Sequence, residues 1–227
     1  MPQITAVILA SGNGSRFGRP KQFALLAGLP LLIRTLLPFQ QNQLVTSIVI
    51  VTREADCHQV EDMLVSHHMD KVIRVIPGGA SRQESSRLGV NGCPVNSDFV
   101  LIHDGARPLV SAALLQRLIT ALHTYPAVNT VINTADTIIE LDTGNFIKSI
   151  PDRNRLRRCQ TPQGFRYQLI KEAHEYAERH GLREITDDCG LVLAMGGRVF
   201  TIAGEETNIK ITYEQDLQIA ERLLDNG

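Results

Sequence analysis

The chain has 227 residues, 43% hydrophobic and 21% charged, with 17 Gly and 10 Pro, a composition that fits a folded globular protein and excludes collagenous, coiled-coil and disordered classes. Its 23 Lys and Arg against 24 Asp and Glu give a formal net charge of -1, so no global positive field exists to hold nucleic acid or an anionic membrane, and any phosphate binding must be local. No apolar run approaches the roughly 18 residues of a membrane span, and no secretory pattern opens the chain. Cys57, Cys93, Cys159 and Cys189 form neither a CxxC pair nor a secreted-type framework, so a cytoplasmic protein with reduced thiols is expected. The histidines fall at neither HExxH nor zinc-finger spacing, and no protein-held metal cluster is expected.

In chain order, Val- and Ile-rich runs at 5–10, 47–52, 71–76 and 99–103 read as buried strands. Segments 31–39, 55–67, 86–90 and 111–125 carry apolar residues at helical spacing, with Ser111 as an N-cap. The alternation predicts an α/β, doubly wound, mostly parallel sheet with helices on both faces and ligands at the strands' carboxyl ends.

After a strand at 128–133 the alternation breaks, and 136–150 reads as two strands around a turn at 142–145. Such a hairpin either lies on the surface or pairs with another subunit. Ile138, Ile139, Leu141, Phe146, Ile147 and Ile150 give it more apolar surface than a lone hairpin buries, which favours a two-fold pairing of arms. A helix is predicted over 168–180, and Thr186-Asp187 caps a helix running through Val192. Strands follow at 199–202 and 208–211. Thr212 and Gln215 then open a closing helix as a capping box. With no repeat or linker-like stretch, 1–227 reads as a single domain with 134–158 as a β-arm.

The chemistry gathers first in Ala6-Val-Ile-Leu-Ala-Ser-Gly-Asn-Gly-Ser-Arg-Phe-Gly-Arg-Pro-Lys21, a strand running into a glycine-rich loop that carries Arg16, Arg19 and Lys21. Gly12 and Gly14 let backbone N–H groups approach an anion closely, and phosphate is the natural guest. A Rossmann fingerprint would need glycine where Phe17 stands, and a Walker loop would need Gly-Lys followed by Ser or Thr; neither is present.

The run Leu9-Ala-Ser-Gly-Asn-Gly-Ser-Arg16, with Pro20-Lys-Gln-Phe23 and Gly28-Leu-Pro30, resembles the opening of nucleotidyltransferases that join a nucleoside triphosphate to a sugar or polyol phosphate. Pro77-Gly-Gly-Ala-Ser-Arg-Gln-Glu-Ser85, Val100-Leu-Ile-His-Asp-Gly-Ala-Arg-Pro108, Ala135-Asp-Thr-Ile138, Asp152-Arg153 with Gln160-Thr-Pro-Gln163, Ile185-Thr-Asp-Asp188 and Asn208-Ile-Lys-Ile-Thr212 follow in order. Together, over nearly the whole chain, they resemble the 2-C-methyl-D-erythritol 4-phosphate cytidylyltransferase family, a branch of the polyol-phosphate cytidylyltransferases.

The resemblance implies a nucleotide-diphospho-sugar transferase-like Rossmann variant with a protruding β-hairpin arm. It also implies CTP and a polyol phosphate as substrates, Mg²⁺ as cofactor, and a homodimer with shared active sites. Residue by residue, it places Ala10, Ser11, Gly12, Gly79 and Ser85 at the cytidine, with Arg82 shaping the cytosine loop. Gly14, Arg16 and Lys21 fall at the triphosphate. Asp104, Thr186 and Lys210 fall at the second substrate, with Thr137, Arg153 and Thr161 as arm-side contributors, Thr137 and Arg153 reaching over from a partner subunit. Ser11 stands where alanine is usual, Cys189-Gly190 where a small residue and serine are common, and the Arg16 to Lys21 loop is short. Ribitol-5-phosphate cytidylyltransferases share most of these motifs, but the segments around His103 and Arg82 resemble the methylerythritol branch more. A non-catalytic nucleotide-binding protein is the third reading, against which the intact Arg16, Lys21, Asp104 and Lys210 speak.

The physical logic stands beside the resemblance. A phosphate monoester, with its second pKa near ~6, is largely dianionic at neutral pH and needs no general base. The difficulty is bringing two anions together, so the burden falls on Arg16, Lys21, Lys210 and a divalent ion. Asp104 then orients hydrated metal or polyol hydroxyls, as a weak ligand to a Mg²⁺ held mostly by phosphates or water. Taken alone, Lys210 reads as a solvent-facing strand lysine, and Arg155, Arg157 and Arg158 as a solvated face. His103, at the end of an apolar strand, reads as a packed, hydrogen-bonded histidine rather than an acid or base.

Overall fold

The computed structural model describes residues 2–183 and 185–225. It begins with β1 (Ile4–Ala10), a small ribbon of β2 (Leu25–Leu26) and β3 (Leu29–Pro30), α1 (Leu31–Gln41), β4 (Ser47–Thr52), α2 (Cys57–Ser66), β5 (Val72–Pro77) and α3 (Arg82–Asn91). There follow β6 (Phe99–Asp104), α4 (Ala112–Leu122), β7 (Ala127–Asn133), β8 (Glu140–Leu141) and β9 (Ile147–Ser149). The chain continues through β10 (Arg157–Arg166), α5 (Tyr167–Arg179), α6 (Asp188–Ala194), β11 (Phe200–Ala203) and α7 (Gln215–Asp225).

Seven strands form the main sheet in the order β11-β7-β10-β6-β1-β4-β5. All are parallel except β10, which runs antiparallel to both β6 and β7. The central strands are apolar on both faces because both are covered. Ile4, Ala6, Ile8, Ile48, Ile50 and Leu101 meet Leu36 of α1, Val60 of α2 and Leu118 of α4 on one side. Val7, Val49, Val51, Val100 and Ile102 meet Val90 of α3, Ile170 of α5 and Val192 of α6 on the other. Gly89 lets α3 lie close to β1 and β4; a Cβ there would run into Val7 and Val51. A third cluster joins Phe17 of the glycine-rich loop to Leu26, Leu31, Ile211 and Ala220 of α7, which brings the 208–212 segment beside that loop.

Several sequence expectations are corrected. β10 was not predicted: Arg-Arg-Cys-Gln-Thr-Pro-Gln-Gly-Phe-Arg has no apolar alternation, and its buried Gln160, Thr161 and Gln163 satisfy their side chains within the fold. The predicted strand 208–211 is not formed and the segment joins no sheet; Ile211 N–H donates to Ala106 O at 2.8 Å, while Ile209 N–H turns back to Thr207 O. The closing helix is not capped by Thr212 with Gln215. Instead the Asp216 carboxylate accepts from the Thr212 and Tyr213 N–H groups. α3 begins at Arg82 rather than at Ser86, because Ser81 caps it by accepting from Glu84 N–H at 3.0 Å.

The hairpin is present as a two-stranded sheet of its own, β8 with β9, and its turn at 142–145 is pinned by Asp142 Oδ1, which accepts from Gly144 and Phe146 N–H. Phe146, Ile147 and Ile150 are 73%, 60% and 63% exposed on it.

Candidate active site

β1 and β6 run side by side in register, Leu9 opposite Asp104, and the loops that leave their carboxyl ends open one groove of about 500 Å³. Its walls come from the loop after β1, the β5–α3 turn, the start of the loop after β6, and the 208–212 segment. The groove therefore lies where a doubly wound sheet places ligands. Gly14 takes φ +65° with its face against Arg19 O, so any Cβ would strike backbone; Phe17 and Gly18 N–H both return to Gly14 O and fix the loop's curl. Across the groove the first turn of α3 faces in, and Glu84 Oε2 accepts from Ala80 N–H at 2.8 Å to hold the turn.

Asp104 is the groove's one acidic residue among the described lining residues, and cations surround it. Lys210 Nζ lies 2.7 Å from Oδ2, Arg82 Nη2 is 3.5 Å from Oδ1, and Arg107 Nε is 3.9 Å from Oδ2. Burial alone would raise the Asp104 pKa, but Lys210 and Arg82 outweigh it and hold the carboxyl well below the usual range, so it is an anion at all working pH values. Lys21 donates to Ile211 O at 2.9 Å; burial and then the neighbouring Lys210 lower its pKa, against the pull of Asp104. Arg16 lines the groove and carries no ion pair among the described residues, whereas Arg19 is tied to Glu214 at 3.1 Å.

The frame behind these groups is polar and buried. Asp104 N–H donates to Thr161 Oγ1 at 3.0 Å, and that hydroxyl lies 3.0 Å from His103 Nδ1. His103 Nε2 faces Arg107 O at 2.9 Å, a carbonyl that only accepts, so Nε2 carries the proton and Nδ1 accepts from Thr161. Burial lowers the His103 pKa to about 4, which keeps this relay neutral. His103 is thus a packed scaffold residue, as the sequence indicates. Arg82 is held from behind by Asp188, whose Oδ2 lies 2.9 Å from Nη1, while Asp188 Oδ1 accepts from Ser86 Oγ.

Of the residues singled out from sequence, Ala10, Ser11, Gly12, Gly14, Arg16, Lys21, Gly79, Arg82, Ser85, Asp104 and Lys210 converge on this groove. Lys210 is exposed, as in its isolated reading, but it lies in no strand and is ion-paired with Asp104. Thr161 stands apart from the arm: it is 5% exposed in β10, and its hydroxyl is spent on His103 and Asp104. Thr137 and Arg153 are exposed on and beside the arm, and Thr186 is exposed ahead of α6; none of the three lines the groove of its own chain. Asp188 and Arg107 went unassigned in the sequence. Their only signal was position, Arg107 three residues after Asp104 and Asp188 at the end of Ile-Thr-Asp-Asp.

Residues 4–226 match the family described as IspD: 2-C-methyl-D-erythritol 4-phosphate cytidylyltransferase. This chain belongs to the IspD family. It is similar to the 2-C-methyl-D-erythritol 4-phosphate cytidylyltransferase of Thermobifida fusca, 39% identical over 236 residues that cover 100% of this chain and 95% of the relative. That of Clostridium novyi is 37% identical over 229 residues, covering 100% and 98%. Among solved structures, the 4-diphosphocytidyl-2C-methyl-D-erythritol synthase of Anaerococcus prevotii matches with a TM-score of 0.88 at 29% identity, covering 99% of this chain and 96% of that one. The Thermus thermophilus 2-C-methyl-D-erythritol 4-phosphate cytidylyltransferase matches with a TM-score of 0.79 at 31% identity, covering 98% and 99%. In this IspD-family chain the groove is lined by four lysine or arginine side chains, Arg16, Lys21, Arg82 and Lys210, and by the ionised Asp104.

Proposed function

We propose that this protein transfers the cytidylyl group of CTP to the phosphate of 2-C-methyl-D-erythritol 4-phosphate, giving CDP-methylerythritol and pyrophosphate for non-mevalonate isoprenoid synthesis. The observation that carries it is the groove of this IspD-family chain, in which Arg16, Lys21 and Lys210 meet beside the glycine-rich loop. A phosphate oxygen of the acceptor forms the new bond to the α-phosphorus, and the bond from that phosphorus to the β-phosphate bridging oxygen breaks, so pyrophosphate carries away the electron pair. The acceptor phosphate is already dianionic, so no side chain has to remove a proton. Arg16 and Lys21 neutralise the triphosphate, and Lys21 exchanges its hydrogen bond to Ile211 O for phosphate oxygen. Lys210, held at Asp104, stands between the donor and acceptor phosphates. Asp104 and Thr186 receive the polyol hydroxyls.

Mg²⁺ suits this donor set only as an ion carried on the triphosphate. Among the described residues no group of three His, Cys, Asp or Glu could hold a metal, and both oxygens of Asp104 already face cations. When bound, the ion adds charge neutralisation, with Asp104 as a single or water-mediated ligand. The apolar, exposed arm supports a homodimer in which Thr137 and Arg153 complete the partner's groove. No described helix is long and apolar enough to cross a membrane, and the four thiols are free, which suits the cytoplasm. The test is ³¹P NMR of the product formed from CTP and 2-C-methyl-D-erythritol 4-phosphate. Coupled resonances of a diphosphate bridge are expected, and intact CTP after prolonged incubation would refute the assignment.

A further inference from the structure

Ser11 and Ser85 form a corner of the groove built from hydroxyls and backbone, and among the described residues neither hydroxyl bonds to an ionised side chain. Ser11 Oγ donates to Ser85 Oγ at 2.9 Å, and Gly79 N–H donates to the same oxygen at 3.1 Å. A hydroxyl has two acceptor sites and one proton. Both acceptor sites of Ser85 are therefore filled, and its proton is the capacity left over, taken by no acceptor among the described residues. A Cβ on Gly78 would run into both serines, so backbone closes that side of the corner and the groove is the open side.

From this geometry we infer that Ser11 is a positioning residue that locks Ser85 as a hydrogen-bond donor to an acceptor atom on the pyrimidine ring of the nucleotide. The inference rests on the cytidylyltransferase reading and deepens it. The phosphates are served by Arg16, Lys21 and Lys210, whereas a single neutral donor beside glycine backbone suits the carbonyl oxygen or bare ring nitrogen of a flat base. Without the Ser11 hydroxyl, one acceptor site of Ser85 is emptied. Its proton is then free to turn to the carbonyl of Ser81, four residues back in the same helix, the default for a helical serine. Ser11 acts through Ser85, so its effect must vanish when Ser85 is gone.

The experiment measures kcat and KM for CTP in the wild type, Ser11→Ala, Ser85→Ala and the double variant, with the thermal midpoint of each. A net hydrogen bond corresponds to a few-fold to about tenfold in affinity. Ser11→Ala is expected to raise KM for CTP about fivefold with the loss confined to KM rather than kcat, and the double variant to match Ser85→Ala alone. An unchanged KM in Ser11→Ala, or effects that multiply in the double variant, would overturn the inference. Wild-type protein that does not turn over CTP would instead overturn the functional reading, an outcome visible before any variant is made.

Discussion

Replacing Asp188 by asparagine keeps the shape of the side chain but removes the buried charge behind Arg82. Asp188 is fully buried, accepts from Arg82 Nη1 at 2.9 Å and from Ser86 Oγ, and its own N–H donates to Gln163 Oε1 at 3.2 Å. Breaking a buried pair by removing one partner costs about 3–5 kcal/mol. Two features lower that here: the Arg82 side chain is 30% exposed, so water recovers part of its solvation, and Asp104 remains 3.5 Å away. A loss of about 2–3 kcal/mol follows, which for a chain of this size shifts Tm by roughly 5–10 °C. With its anchor gone, Arg82 swings toward Asp104 and into the groove, and KM for CTP rises about tenfold. Urea unfolding followed by circular dichroism, alongside steady-state kinetics, measures both. Stability within ~0.5 kcal/mol of wild type, with unchanged KM, would refute the idea that Asp188 sets the position of Arg82.

Arg16→Ala and Lys21→Ala are each expected to lower kcat/KM by at least about two orders of magnitude in folded protein, since each removes a cation placed against developing phosphoryl charge; near-normal turnover in both would remove the loop from the mechanism. Arg153→Ala and Asp104→Ala, each inactive alone, should regain partial activity when mixed as subunits, because one site of the heterodimer then draws both intact residues from different chains; proven subunit exchange without recovery would return Arg153 to its own chain. His174 is buried, and burial lowers its pKa below the ordinary 6.5 against the opposing pull of Asp188. Its folded value lies below its unfolded one, so its contribution to stability is complete above pH 6.5 and shrinks as the pH falls below it. Between pH 7.5 and 5.5 the wild type should lose more stability than His174→Phe, and parallel urea curves would contradict this.

The parts of this fold that were legible from sequence are those in which burial on both faces forces continuous Val and Ile runs, as in β1, β4 and β6. β10 was illegible because three of its buried positions are polar: Gln160, Thr161 and Gln163 are satisfied by distant partners such as Glu205, His103 and Asn129, and a local pattern carries no trace of partners so far along the chain. Residues 208–211 misled in the opposite sense. Ile209 and Ile211 alternate around Lys210 as in a strand, yet the apolar pair packs toward the Phe17 and α7 cluster and no neighbouring strand is in reach to form a ladder. For the site, glycines and cations clustered in one loop announced a phosphate groove. Lys210 needed the fold, because the third cluster, the Ile211 N–H bond to Ala106 O and the Arg107 bond to Asn208 O bring its segment across to Asp104. Thr161 shows the remaining limit: the resemblance groups it with the arm, whereas β10 carries it back into the sheet.

The central claim is tested most directly by pyrophosphate release with each of the four nucleoside triphosphates against a panel of polyol phosphates in the presence of Mg²⁺. The account predicts release with CTP and 2-C-methyl-D-erythritol 4-phosphate far above every other pair, and none when EDTA removes the ion. Faster release with ribitol 5-phosphate, or with a triphosphate other than CTP, would contradict it.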